Sequence, residues 1–155
     1  MLKVIGLGNV LRGDDGIGPM VIEQLEELGD ESIQLIDAGA DPFTLLEHLI
    51  ESDPLLIIDC AEMGMLPGST HLFSIYDAKF RESANSISLH GFSFADVYRM
   101  AAEIGVLAPC KIIGVQPKNI GFCDKLSDEV KASIPTILKM INQEKNNYVP
   151  ENIDY

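Results

Sequence analysis

The chain has 155 residues, 46% of them hydrophobic, enough for one domain with a real core and too few for two comfortable ones. Its 24 acidic residues against 11 basic ones give a formal charge of -13, and no Lys/Arg cluster or aromatic-basic stripe relieves it. Nucleic acid and anionic membrane surfaces are therefore excluded as expected partners.

The three cysteines, Cys60, Cys110 and Cys123, lack CxxC spacing, so neither a disulfide framework nor a structural zinc site follows, and a reducing compartment fits best. The N-terminus runs quickly into Gly6 and Asn9 without the apolar core of a signal peptide. No apolar run approaches the roughly 18 residues of a membrane span. A soluble, cytoplasmic protein is expected.

In chain order, residues 2–7 read as a strand, followed by Gly6-Leu7-Gly8-Asn9 and then Gly13-Asp14-Asp15-Gly16-Ile17-Gly18, a glycine-rich turn that opens a helix. A helix N-terminus presents unpaired N–H groups that suit a bound anion or the chain's own carboxylates. Here the chain supplies two adjacent acids. Ile17, Met20, Val21, Leu25 and Leu28 then follow helical spacing, with Glu23, Gln24, Glu26 and Glu27 on the other face and Gly29 as the stop. Residues 33–36 form a second strand that ends in Asp37. Asp41-Pro42 caps a second helix that carries Phe43, Leu45, Leu46, Leu49 and Ile50.

Residues 55–58 are wholly apolar, as in a central strand, and end in Asp59. The link Gly64-Met65-Leu66-Pro67-Gly68 is too short for a parallel crossover, so the strand at 71–75 is expected to be an antiparallel edge. A third helix is expected from about Phe92 to Ile104, a fifth strand at 110–115, and a fourth helix from Ser127, which Pro135 should kink or divide. The alternation implies an α/β fold: three layers, αβα, with a twisted, mostly parallel sheet of about five strands. Residues 1–143 are expected to form a single domain and 144–155 a polar, fraying tail.

Ligands of open α/β sheets bind beyond the carboxyl ends of the strands, where Asp14, Asp15, Asp37 and Asp59 lie. Gly6-Leu7-Gly8 with Asp37 imitates a dinucleotide fingerprint, but its third glycine falls at Leu11, and the paired acids would face a pyrophosphate. A cation site needs ligands converging from separate strand ends. His90, in the small and polar stretch Ser88-Leu89-His90-Gly91, is the histidine placed to reach it, although a lone histidine is more often a packing residue. His48 lies amid leucines and His71 opens the edge strand. Asp14 is expected to cap the helix that follows it. Asp37 serves either the loop amides before Gly39 or the site, and Asp59 needs a partner. Glu62 is expected to face solvent, and Cys60, by alternation, to point away from Asp59.

Taken together, Gly6-x-Gly8-Asn9, Asp14-Asp15-Gly16-x-Gly18, Asp37-x-Gly39, Asp59, Met63-Gly64, Pro67-Gly68, His90, Gly114-Val115-Gln116-Pro117 and Gly121-Phe122 resemble the hydrogenase maturation endopeptidases of nickel–iron hydrogenases. The resemblance implies a peptidase that removes a C-terminal extension from the hydrogenase large-subunit precursor once nickel is inserted. It implies Asp15, Asp59 and His90 as metal ligands, with Asp15 or Asp59 also serving as base in an aspartyl-type hydrolysis. Asp14, Asp37, Gly39 and Gln116 are expected to shape the cleft. Nickel is expected to arrive with the precursor, and no nucleotide is needed. The family varies between Glu and Asp at the first ligand position; the shorter Asp15 implies a slightly deeper or tighter site. A Rossmann-like nucleotide-binding module and a non-catalytic nickel chaperone stand as alternatives.

Overall fold

The computed structural model describes residues 1–74, 88–89, 92–105 and 107–148. In chain order its elements are β1 (Leu2–Leu7), a 3-10 turn (Gly13–Gly16), α1 (Ile17–Leu28), β2 (Ile33–Gly39), α2 (Pro42–Leu49), β3 (Leu55–Cys60) and β4 (Thr70–Ser74). They continue with β5 (Ser88–Leu89), β6 (Phe92–Ser93), α3 (Phe94–Ile104), β7 (Cys110–Val115) and α4 (Asp128–Asn146). The main sheet has the order β2-β1-β3-β7-β4, parallel throughout except for β4, which runs antiparallel to β7 at the edge. The expected fold and the short-linker argument for the edge strand are both met.

Alternation along the central strands divides the core into two layers. Ile5, Leu7, Leu55, Ile57 and Ile112 pack against Leu45 and Leu49 of α2 and Phe94, Val97 and Ala101 of α3. Val4, Leu56, Ile58 and Ile113 point the other way, onto Ile17 and Val21 of α1 and Val130, Ile134 and Ile137 of α4. Gly18 sets how closely α1 approaches: a Cβ there would lie 2.2 Å from the Leu7 carbonyl oxygen and 2.6 Å from that of Ile58. The start of α1 thus rests directly on the backbone of two strands, and this brings the glycine loop to the tips of β1 and β3.

Local signals fix most boundaries. Asp41 accepts from Phe43 N as the cap of α2, Ser127 accepts from Val130 N as the cap of α4, and Gly29 closes α1 in the left-handed conformation. Three expectations need correction. The third helix starts at Phe94, because Phe92–Ser93 pairs with Ser88–Leu89 as a short antiparallel ladder. Pro135 does not divide the last helix, which is continuous from Asp128 to Asn146. Val130, Ile134, Ile137 and Ile141 hold it on the sheet, and the carbonyl that loses its donor belongs to Lys131, on an exposed turn where water serves. The boundary at Gln143 falls inside this helix: Glu144 is buried and pairs with Lys111 of β7 at 2.9 Å. Of the described residues, only those up to Tyr148 inform on the tail.

Pro135→Ala restores one helical hydrogen bond at an exposed site and is expected to raise stability by about 1–2 kcal/mol, read from the urea midpoint. A lower midpoint would mean that the proline supports a bend the sheet requires.

Candidate active site

The site is assembled from three loops at the carboxyl ends of β1, β3 and β7. The first loop turns at Gly8, whose φ of 130° is left-handed territory, and a Cβ there would stand 1.8 Å from the Asp15 carbonyl oxygen and 3.5 Å from Asp59 Oδ1. A glycine is therefore required where the loop passes between the two aspartates. Asn9 then organises the turn: its N–H donates to Asp15 Oδ2 at 2.9 Å, its side-chain oxygen accepts from Leu11 N at 2.9 Å and its carbonyl accepts from Arg12 N at 3.0 Å. Asn9 is the positioning residue for Asp15, a role that sequence spacing did not reveal.

Asp14 and Asp15 part company within the 3-10 turn. Asp14 is fully buried and does not cap α1, whose N-cap is Gly16 with no side-chain hydrogen bond. It accepts instead from Lys118 N (2.8 Å), Asn119 N (3.0 Å), Ser127 N (2.7 Å) and Ser127 Oγ (2.9 Å). Burial opposes its charge, but the hydrogen bonds from Asn119, Ser127 and Lys118 outweigh burial and hold its carboxyl below the usual carboxylate range. Asp14 is thus the peg that fastens the glycine loop to the loop after β7 and to the start of α4. Asp15, half-buried, is left facing the strand tips.

Asp59 ends the buried run of β3 and is itself only 3% exposed. Its Oδ1 accepts from Cys60 N at 2.7 Å. Burial, and then the neighbouring charge of Asp15, push its pKa well above the usual range, against the pull of that N–H. The Asp15 charge thus stands against ionisation of Asp59, and a cation between the two carboxylates would relieve that repulsion.

Cys60 does lie on the opposite face from Asp59, packed on the layer beside α1 and α4, as alternation requires. Asp15 nevertheless reaches it from that side. Burial first, then the charges of Asp59 and Asp15 and a hydrogen bond to Asp15, raise the thiol far above its ordinary value. Cys60 is held as a neutral thiol and offers no thiolate nucleophile. Cys110, fully buried, is pushed up to about 12 by burial.

The cleft walls come from the remaining loops. Gln116, at the tip of β7 and 4% exposed, accepts from Met63 N (2.7 Å) and Met65 N (3.3 Å) through Oε1 and donates through Nε2 to both Glu62 oxygens (3.0 Å each). Glu62 is exposed as expected, yet engaged. At the tip of β2, Asp37 is exposed and its Oδ1 accepts from Gly39 N at 3.1 Å; a bulge skips Ala38, and the Gly39 carbonyl accepts from Gly8 N at 2.8 Å. Asp37 and Gly39 thus border a groove of about 280 Å³ shared with Gly8, Asn9, Val10 and Pro19.

The histidines divide clearly. His48 sits at the far end of the sheet, 3.4 Å from the buried Lys3 ammonium, where burial and then the Lys3 charge lower its pKa. His71 packs against Phe73 with ring centroids 4.4 Å apart and the rings tilted by 50°. His90 lies outside the described residues. Among the described residues no three His, Cys, Asp or Glu side chains converge as a metal-holding group, so Asp15 and Asp59 stand there as a pair.

A sequence model of hydrogenase maturation proteases, HycI, matches residues 19–144, a span that contains Asp59 and begins just after Asp14 and Asp15. The chain belongs to the hydrogenase maturation protease family. It is 32% identical over 159 residues to a Methanocaldococcus jannaschii protein described as a hydrogenase maturation protease, covering 93% of this chain and 90% of the relative. To the hydrogenase expression/formation protein HoxM of Azotobacter vinelandii it is 29% identical over 143 residues, 90% of this chain and 69% of that one. The solved hydrogenase maturating endopeptidase HybD of E. coli superposes with a TM-score of 0.80 at 26% identity, covering 94% of this chain and 92% of HybD. The family is a family of peptidases, and no helix among the described residues of this maturation protease is long and apolar enough to cross a membrane.

Proposed function

We propose that this protease removes the C-terminal extension of a nickel-loaded hydrogenase large-subunit precursor, and that it recognises the nickel through Asp15, Asp59 and His90. The observation that carries this reading is the pairing of Asp59, buried and with its pKa pushed up, with Asp15 across Gly8 at the tips of the two central strands. Two neighbouring carboxylates, one of them buried, are the kind of donor set that a divalent cation suits, and an added imidazole suits nickel. The metal is cargo of the substrate in this reading, and it marks the precursor as ready. Within the protein, a carboxylate held above its usual range is suited to accept the proton of an attacking water beside the scissile carbonyl. Asn9 keeps Asp15 aimed at that position.

The same loop geometry weighs against a nucleotide. The amides of Asn9 and Leu11, which a phosphate would need, already donate to Asp15 and to the Asn9 side chain.

The deciding experiment mixes the purified protein with nickel-loaded and nickel-free large-subunit precursor and follows the mass of the subunit. Loss of a C-terminal peptide from the loaded form alone is expected, and His90→Ala should abolish it while leaving the thermal transition in place. Cleavage of both forms at equal rates would refute nickel recognition. A His90→Ala variant that still processes normally would remove His90 from the ligand set.

A further inference from the structure

Large exposed apolar side chains are concentrated on the three loops that follow β1, β3 and β7. Val10 and Leu11 on the first loop, Met65 and Leu66 on the second, and Ile120 and Phe122 on the third are all exposed, Leu66 at 81% and Phe122 at 92%. They ride on loops that are braced. Cys123 N donates to the Leu11 carbonyl at 3.0 Å, Gly13 N to the Cys123 carbonyl at 2.8 Å and Asp14 N to the Asn119 carbonyl at 2.9 Å, so the first and third loops are tied together. The second loop is tied to the tip of β7 by Gln116 and by Gly68 N, which donates to the Gln116 carbonyl at 2.8 Å.

Holding such side chains in water on stiff loops is unfavourable in the free protein, and an interface recovers that cost with little ordering left to do. The occupant follows from the position of the rim. A peptidase must lay polypeptide across the face that bears its reacting groups, and these side chains ride on the loops after β1, β3 and β7, the end of the sheet that carries Asp15 and Asp59. An anionic membrane is disfavoured by the charge of -13. A second copy of the chain seated here would cover both carboxylates.

We propose that Leu11, Leu66, Ile120 and Phe122 form the docking surface for the substrate protein, which meets them with an apolar face of its folded body next to the tail to be cut. This rests on the placement of the catalytic pair proposed above. In this arrangement the body of the precursor supplies most of the affinity, and the tail is threaded from it to the carboxylates. Phe122, the most exposed of the set and part of the Gly121-Phe122 motif, is the central anchor.

The test compares wild type, Phe122→Ser, Leu66→Ser, the double variant and Leu28→Ser, another exposed apolar residue, at the far end of α1. Cleavage kinetics on nickel-loaded precursor and direct binding of the same precursor are both measured. The double variant is expected to raise KM and the dissociation constant at least tenfold, with kcat within twofold of wild type and an unchanged thermal transition; Leu28→Ser is expected to change neither. Equal affinity for wild type and the double variant overturns the proposal, as does an equal loss in Leu28→Ser. If wild type leaves every precursor uncut, the catalytic reading falls by itself, and the binding ratio still decides whether the rim docks the substrate.

Discussion

Asp59→Asn is expected to lower kcat for precursor cleavage by at least about a hundredfold and, in the metal-free protein, to raise the unfolding midpoint. The two effects share one cause. Asp59 is buried beside Asp15 with its pKa pushed up, so its charged form is held in the folded state at a cost that the unfolded chain does not bear. An amide of the same shape removes that charge and has Asp15 beside it as an acceptor; a gain of about 1 kcal/mol is typical when a functional group held against its surroundings is replaced. The pH dependence has a definite sign. The native state retains a proton that the unfolded state has already released, so this contribution to stability declines as pH rises from about 3.9 toward the raised pKa. The variant should lack that decline. Urea titrations across this range, alongside the cleavage assay, give both readouts. Full activity would displace Asp59 from the site, and lost activity with a lowered midpoint would make it a structural carboxylate.

Asp14→Ala should have the opposite signature. Three backbone N–H groups and the Ser127 hydroxyl lose their acceptor at once, in a place that is fully buried. Water entering the gap satisfies some of them, which leaves an expected loss of about 3–4 kcal/mol, or roughly 6–16 °C in the thermal midpoint for a chain of this size. Asparagine is no rescue, because its amide hydrogens would face N–H donors. Here the folded pKa is depressed, so the carboxylate's contribution is present above the unfolded value of about 3.9 and is lost as pH falls through the folded one. Wild type should therefore lose more stability on acidification than the variant does. A shift below about 1 kcal/mol would mean that the loops after β7 are held without this peg.

Much of the scaffold was legible because its signals are local. The apolar runs marked the strands, and Asp41, Ser127 and Gly29 ended helices where their capping chemistry requires. A nine-residue link after β3, too short for a parallel crossover, left β4 antiparallel at the edge. The acids of the candidate site were visible as carboxylates standing just past apolar strands, a position no local rule explains. In the same way Asp37 could be read as a loop acceptor, since its partner Gly39 is two residues away.

What only the tertiary structure decided depends on which loop tips meet. Asp14 was read as a cap because a cap needs partners within one turn; its true partners lie 104 to 113 residues further on. Alternation placed Cys60 on the correct face, yet it carried no information that Asp15 comes to that face from another strand's loop. Glu144 looked like the start of a polar tail until β7 set Lys111 opposite it. Pro135 was read as a kink or a division of the helix, and the continuous apolar surface of the sheet carries α4 through it undivided. The sequence by itself determined the elements, their layers and the inventory of acids, because periodicity and capping act over a few residues. The partners of Asp14 and the neighbours of Asp15 and Asp59 emerged only when the chain closed, since the donors and charges around a carboxylate are those that the fold brings to it.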